Sequence, residues 1–311
     1  DHVARHVGEA ASAAQNRHGH EDREDLADGV LREKDAFRLE DRFSVVDEAL
    51  LDDWVARAQE QAASRGIVGI VDMQHGPERI RTWRRRAART DQLLRVVIAC
   101  WADSIDEAIG AGMRTGHPID EAGWLRGGPL KIITDGSFTA QTAWCTHPYG
   151  DPDSGLDPHG SPSISREKLA TLMSRGELNG LQLAVHAIGD RAIAMTLDCF
   201  AETGASGSIE HAMVPSAADI ARMAELGLHA SVQPVHMLAD RELIEDSWPT
   251  GAGRSFPLRS MLEAGVPLAF GTDAPVTPID PWLAIRTAVL RAAPGQEPWN
   301  ASESLSIAQA L

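Results

Sequence analysis

Leu181-Gln-Leu-Ala-Val-His186-Ala-Ile-Gly-Asp-Arg191 decides the fold. A short apolar run ends in a histidine, and Gly-Asp then opens a helical stretch from Arg191 to Thr203, with Asp190 expected at its N-cap. The same unit follows at once: Ser208-Ile-Glu-His211, then a helix over Ser216–Leu226. A buried strand coupled to a helix of 10–15 residues is the building unit of a parallel sheet.

Outward from this pair the unit recurs. On the N-terminal side stand Ile67-Val-Gly-Ile-Val-Asp72, Leu94-Arg-Val-Val-Ile-Ala-Cys100 and Leu130-Lys-Ile-Ile-Thr134. Helical patterns at 52–65, around Trp83, at 104–113 and at 165–179 accompany them. On the C-terminal side stand Leu228-His-Ala-Ser-Val-Gln-Pro234 and Val266-Pro-Leu-Ala-Phe-Gly-Thr-Asp273, with helices expected at 257–264 and 281–291. That makes seven strands. A closed (β/α) barrel needs eight, and an open doubly wound sheet also accommodates seven. No Gly-x-Gly-x-x-Gly loop follows any strand, and polar residues end several of them, so a TIM-like α/β barrel is the expectation. Residues 1–50 read as loops and an edge segment, and 51–311 as the barrel.

Composition narrows the function. The chain has 311 residues, 43% hydrophobic and 24% charged, in the range of a globular protein with a large core. A net charge of −16 argues against nucleic acid, whose binders concentrate positive charge. Cys100, Cys145 and Cys199 have no paired spacing, so no disulfide framework is expected and a reducing, cytoplasmic compartment is favoured. No apolar stretch approaches the 18–20 residues, roughly, that span a bilayer. The first residues lack an apolar core of a signal peptide and an initiator Met, so the chain reads as part of a longer one. The expected partner is a small-molecule substrate, with homo-oligomerisation left open and neither nucleic acid nor membrane expected.

Four strand ends carry metal-capable side chains: Lys131, His186, His211 and Asp273. One buried histidine is commonplace. Two on consecutive strands, 25 residues apart, are a way to set two imidazoles around one divalent ion whose charge justifies the burial. Asp273, after an apolar strand and before a proline-rich loop, can bind that ion and accept a proton from water. Turn-forming aspartate is the plainer alternative. Lys131 lies in an apolar strand where an unpaired ammonium is costly, which predicts either a salt bridge to Asp135 or Asp273, or a chemically modified lysine.

These motifs together resemble the amidohydrolase superfamily: Leu-Lys-Ile-Ile-Thr-Asp-Gly-Ser, Val-His-Ala-Ile-Gly-Asp-Arg-Ala, Ile-Glu-His-Ala, Ser-Val-Gln-Pro-Val-His and Phe-Gly-Thr-Asp-Ala-Pro. The match is to its amidohydrolase-3 branch, which includes N-substituted formamide deformylases. The resemblance implies a (β/α)8 barrel with a small β-sandwich, one or two zinc-like ions, and hydrolysis of an amide-type C–N bond. It also implies that Lys131 is carboxylated and bridges metals, that His186 and His211 are metal ligands, and that Asp273 is ligand and general base. The His-x-His pair expected on the first barrel strand is missing, and His18-Gly-His20 sits in what reads as an exposed loop. The chain therefore resembles strands two to eight, with the sandwich largely absent.

Other residues are weaker candidates. Gln233 and His236 are placed to contact substrate, and Asp135 and Asp190 to orient ligands from behind. Asp72 and His75 face the same rim. Trp101, Trp144 and Trp248 suit a pocket wall or the core equally. A different class of reading is an inactive barrel segment with a partial metal site, and a lactonase or phosphotriesterase would share the ligand set.

Overall fold

The computed structural model describes residues 47–73, 78–89, 91–149, 157–248 and 252–311. His18, His20 and His75 lie outside these, as do residues 1–46 of the expected edge segment. Seven strands run in sequential order, all parallel: β1 (Gly69–Asp72), β2 (Arg95–Trp101), β3 (Leu125–Ile133), β4 (Leu183–Ala187), β5 (Gly207–His211), β6 (His229–Val232) and β7 (Leu268–Phe270). The helices are α1 (Glu48–Ser64), α2 (Glu78–Ala87), α3 (Ile105–Gly110), α4 (Arg166–Leu178), α5 (Asp190–Thr203), α6 (Ala217–Glu225), α7 (His236–Ser247), α8 (Leu258–Glu263), α9 (Pro281–Leu290) and α10 (Ile307–Ala310).

The ladder register sorts the side chains. Ile132, Val185, Ile209 and Ala230 are paired neighbours across four strands, all at 2% exposure or less, and they join the apolar layer that takes up the helices. Alternation then puts Lys131, Ile133, Ala184, His186, Ser208, Glu210 and Ser231 on the opposite face. That face carries the polar residues of the site, with Ile133 and Ala184 among them.

The sheet curls. α1 precedes β1 and α9 follows β7, yet the Trp282 indole N–H donates to the Arg65 carbonyl at 3.0 Å, and Arg65 pairs with Asp280 at 3.7 Å. Six strand spacings in a flat sheet would part those edges by about 29 Å. No ladder joins β7 to β1 among the described residues.

Two elements depart from the sequence expectation. β3 starts at Leu125, ahead of the expected Leu130, through Arg126-Gly127-Gly128-Pro129, a string that reads as a turn. The glycines are there for closeness: a Cβ on Gly127 would lie 2.4 Å from the Arg114 carbonyl oxygen, and one on Gly128 2.6 Å from that of Ile98. α7 has no counterpart in the sequence pattern. It begins just past Gln233-Pro234, and it carries His236 in its first turn.

Candidate metal centre

Strand ends and the residues just past them converge on one spot. His186 ends its inward-facing row on β4, and its ladder neighbour on β5 is Glu210. His211 pairs with Ala187 and by alternation belongs to the helix-facing side. Its backbone takes the left-handed conformation instead (φ 73°), and its ring stands 4.5 Å from that of His186, centroid to centroid. Asp273 is left-handed too (φ 51°). Non-glycine residues in that region cost about 1–2 kcal/mol each, and such strain gathers at functional sites.

His211, His236 and Asp273 bring one donor atom each to within 4.8 Å of one another. The His211 and His236 rings stack at 5.9 Å and 17°, and His236 Nε2 lies 3.7 Å from Asp273 Oδ2. His211 Nδ1–H donates to Gln233 Oε1 at 2.7 Å, while the Gln233 amide N–H donates to the Ser231 carbonyl. This assigns the tautomer and leaves the His211 Nε2 lone pair for a ligand. His186 Nε2 lies 3.2 Å from the Gly136 carbonyl and 3.5 Å from Asp135 Oδ1, which leaves its Nδ1 as the acceptor. It is outside the three-donor group.

The electrostatics favour neutral imidazoles. Burial pushes His186 down to about 3, helped by the Lys131 charge. Burial holds His211 well below the ordinary range, with His186, Lys131 and His236 adding to it. His236 is lowered by burial, with Asp273 opposing. All three rings thus offer lone pairs at neutral pH. Lys131, 7% exposed, is lowered by burial while Glu210 and Asp273 pull the other way. The salt bridge expected from it to Asp135 or Asp273 is not formed: Lys131 makes no ion pair among the described residues. Asp135 is committed elsewhere, accepting from the backbone N–H groups of Ile188, Gly189 and Trp144.

A divalent ion fits these residues. Among the described residues His236 Nε2 is buried without a hydrogen-bond partner, an orphan that a metal would satisfy. Two imidazoles and a carboxylate are a donor set that holds an ion and keeps a further position open. Asp273, 41% exposed, is the member that reaches the open side.

The remaining candidates separate. Gln233 is buried and bonds His211, so it supports the cluster from behind. Asp190 turns to the 146 loop, accepting from Thr146 N–H at 2.7 Å and Arg191 N–H at 3.0 Å; Gly189, not Asp190, is the N-cap of α5. Asp72 accepts from the Trp83 indole at 2.6 Å, and Trp101 donates to the Met73 carbonyl. Glu210, 5% exposed beside Lys131, was given no role by the motif; its place in register with His186 is the signal that finds it.

Fold and site define a class: a parallel β/α barrel sheet with a His/His/Asp cluster at the C-terminal strand ends, where barrel enzymes keep their active sites. The amidohydrolase family model matches residues 3–311, and the chain belongs to that family. It is similar to a metal-dependent hydrolase from Pyrococcus horikoshii of known structure, with 26% identity and a TM-score of 0.80 over 90% of this chain and 57% of that one. It is also 29% identical to Protein LONG AFTER FAR-RED 3 of Arabidopsis thaliana, over 82% of this chain and 46% of that protein. N-substituted formamide deformylase of Arthrobacter pascens is 28% identical over 60% of this chain and 35% of its own length. The chain spans about half the length of these curated relatives or less. No described helix is long and apolar enough to cross a membrane.

Proposed function

We propose that the chain forms the catalytic barrel of a metal-dependent hydrolase that cleaves a non-peptide C–N bond of the amide or formamide type. The observation that carries this is the His211, His236 and Asp273 cluster, with His236 Nε2 left without a hydrogen-bond partner among the described residues. Family membership and the formamide deformylase relative support the bond class. Zinc is the proposed ion. When bound it would polarise the amide carbonyl and bring the pKa of water towards roughly 7.

The chain's own residues do the rest. His211 and His236 present neutral nitrogens, and Gln233 keeps His211 in the tautomer that aims Nε2 forward. Asp273 takes one proton from the attacking water as its oxygen joins the carbonyl carbon. The same carboxyl delivers that proton to the nitrogen as the C–N bond breaks, so that water and amide become acid and amine. Lys131 is proposed as the carboxylated ligand beside His186. The support for it is an amine kept unpaired and pushed towards its neutral, nucleophilic form by burial.

Metal analysis with a screen of N-formyl and N-acyl amines tests the proposal. Stoichiometric divalent metal is expected, with turnover falling at least about a thousandfold in Asp273→Asn. A purified protein that takes up no divalent metal sinks it.

A further inference from the structure

His211 has one lone pair to give and two histidines beside it that bind the same kind of ion. Its Nδ1–H donates to Gln233 Oε1 at 2.7 Å, so only Nε2 is left. A nitrogen with a single lone pair serves one ion at a time. The His186 ring stands 4.5 Å from that of His211 at 71°, and the His236 ring 5.9 Å from it at 17°.

These two neighbours are not equivalent. His236 Nε2 is buried with no hydrogen-bond partner among the described residues, and it lies 3.7 Å from Asp273 Oδ2. His186 already places Nε2 on the Gly136 carbonyl at 3.2 Å and has only Nδ1 to offer. Donor atoms of His211, His236 and Asp273 fall within 4.8 Å of one another, and His186 stays outside that group. His186 and His211 end neighbouring strands of one ladder, whose register fixes them. His236 opens α7 and Asp273 stands past β7, so loops and a helix start complete the other arrangement.

Charge favours the same side. A divalent ion held with Asp273 has half its charge offset by a carboxylate ligand. His186 and His211 bring no charge of their own, and an uncompensated charge in a buried place is costly. Binding through His236 also satisfies a nitrogen that is otherwise orphaned, whereas His186 has a bonded nitrogen either way.

We propose that His236 and His186 are alternative partners of His211 on a single ion, with His236 and Asp273 holding it first and His186 taking over when His236 is lost. This rests on the metal-dependent reading above. It adds that His211 is the shared ligand, that one ion at most is bound through it, and that His186 is spare while His236 is in place.

The metal-stripped chain is titrated with cobalt(II), read by visible absorption and equilibrium dialysis. Parent and His186→Ala are expected to share one spectrum, with affinities within about threefold of each other. His236→Ala should still bind, with a changed spectrum and at least about tenfold more weakly, since a lost ligand costs no less than a lost outer partner. His211→Ala, and His186→Ala combined with His236→Ala, should each bind at least about a hundredfold more weakly than the parent. Melting curves check that each variant folds. Nitrogen NMR of the histidine-labelled parent needs no substitution: one equivalent of zinc should shift the ring signals of two histidines. Three shifted histidines overturn the proposal. So does a His186→Ala chain weakened as much as His236→Ala, or a His236→Ala chain that matches either the parent or His211→Ala. Binding in the expected order without turnover of N-formyl or N-acyl amines overturns the hydrolase reading and leaves the shared ligand standing. Turnover alongside any of the overturning results does the reverse.

Discussion

Gln233 holds His211 through one short hydrogen bond, and that bond sets which imidazole nitrogen faces outward. Outer partners of this kind raise metal affinity by about 10–100-fold. Gln233→Leu should therefore weaken zinc binding by about that factor in a chelator competition, and an unchanged affinity would remove Gln233 from the site. Asp240 supplies a second test. Burial raises its carboxyl from the usual 3.8 to about 6. The folded state holds this proton to higher pH than the unfolded state, so stability falls as pH rises from about 4 to about 6. Across that window the parent chain should lose up to about 3 kcal/mol relative to Asp240→Asn. Parallel stability curves for the two would refute it. The histidine and aspartate candidates were legible residue by residue, because each ends a recognisable strand or stands just past one. The conformation of His211 was not legible, since left-handed backbone at a histidine leaves no mark in the pattern of apolar residues.

The loop after β3 depends on a close approach at the element scale. A Cβ on Gly189 would fall 2.1 Å from the Trp144 carbonyl oxygen, closer than any real contact. Gly189→Ala must push that loop off Asp135, costing about 1–3 kcal/mol and lowering the melting temperature by roughly 2–12 °C. A melting temperature within about a degree of the parent would show that the loop gives way freely. Strands with β-branched or leucine-rich runs, such as Leu181–His186, were visible in the sequence. The first half of β3 was hidden because its glycines were chosen for backbone proximity, which resembles a turn when only the chain order is known. α7 is hidden for a related reason: it starts two residues after a proline, is capped by Val235 without a side-chain bond, and lacks the usual start signal.

For the molecule as a whole, an ion bound at the strand ends would join β5, the start of α7 and the loop after β7. Ligand that binds only the folded state adds about 2.7 kcal/mol at a hundred times Kd. Zinc should then raise the melting temperature by roughly 5–10 °C, reversibly on chelation, and no shift would argue that the cluster holds no ion. The order of strands and helices, the parallel sheet and the family were determined by the sequence itself, because apolar periodicity and strand-end motifs are local properties. Which residues meet was decided only by the tertiary structure. Curling carries Asp273 and Lys131 within reach of one another's charge, although they are separated by four strand spacings of sheet. It also brings a donor atom of His236 within 4.8 Å of those of both His211 and Asp273, while His186, whose ring stands nearer to that of His211, stays outside that group; donor distances depend on register, backbone handedness and curvature that no short stretch of sequence contains.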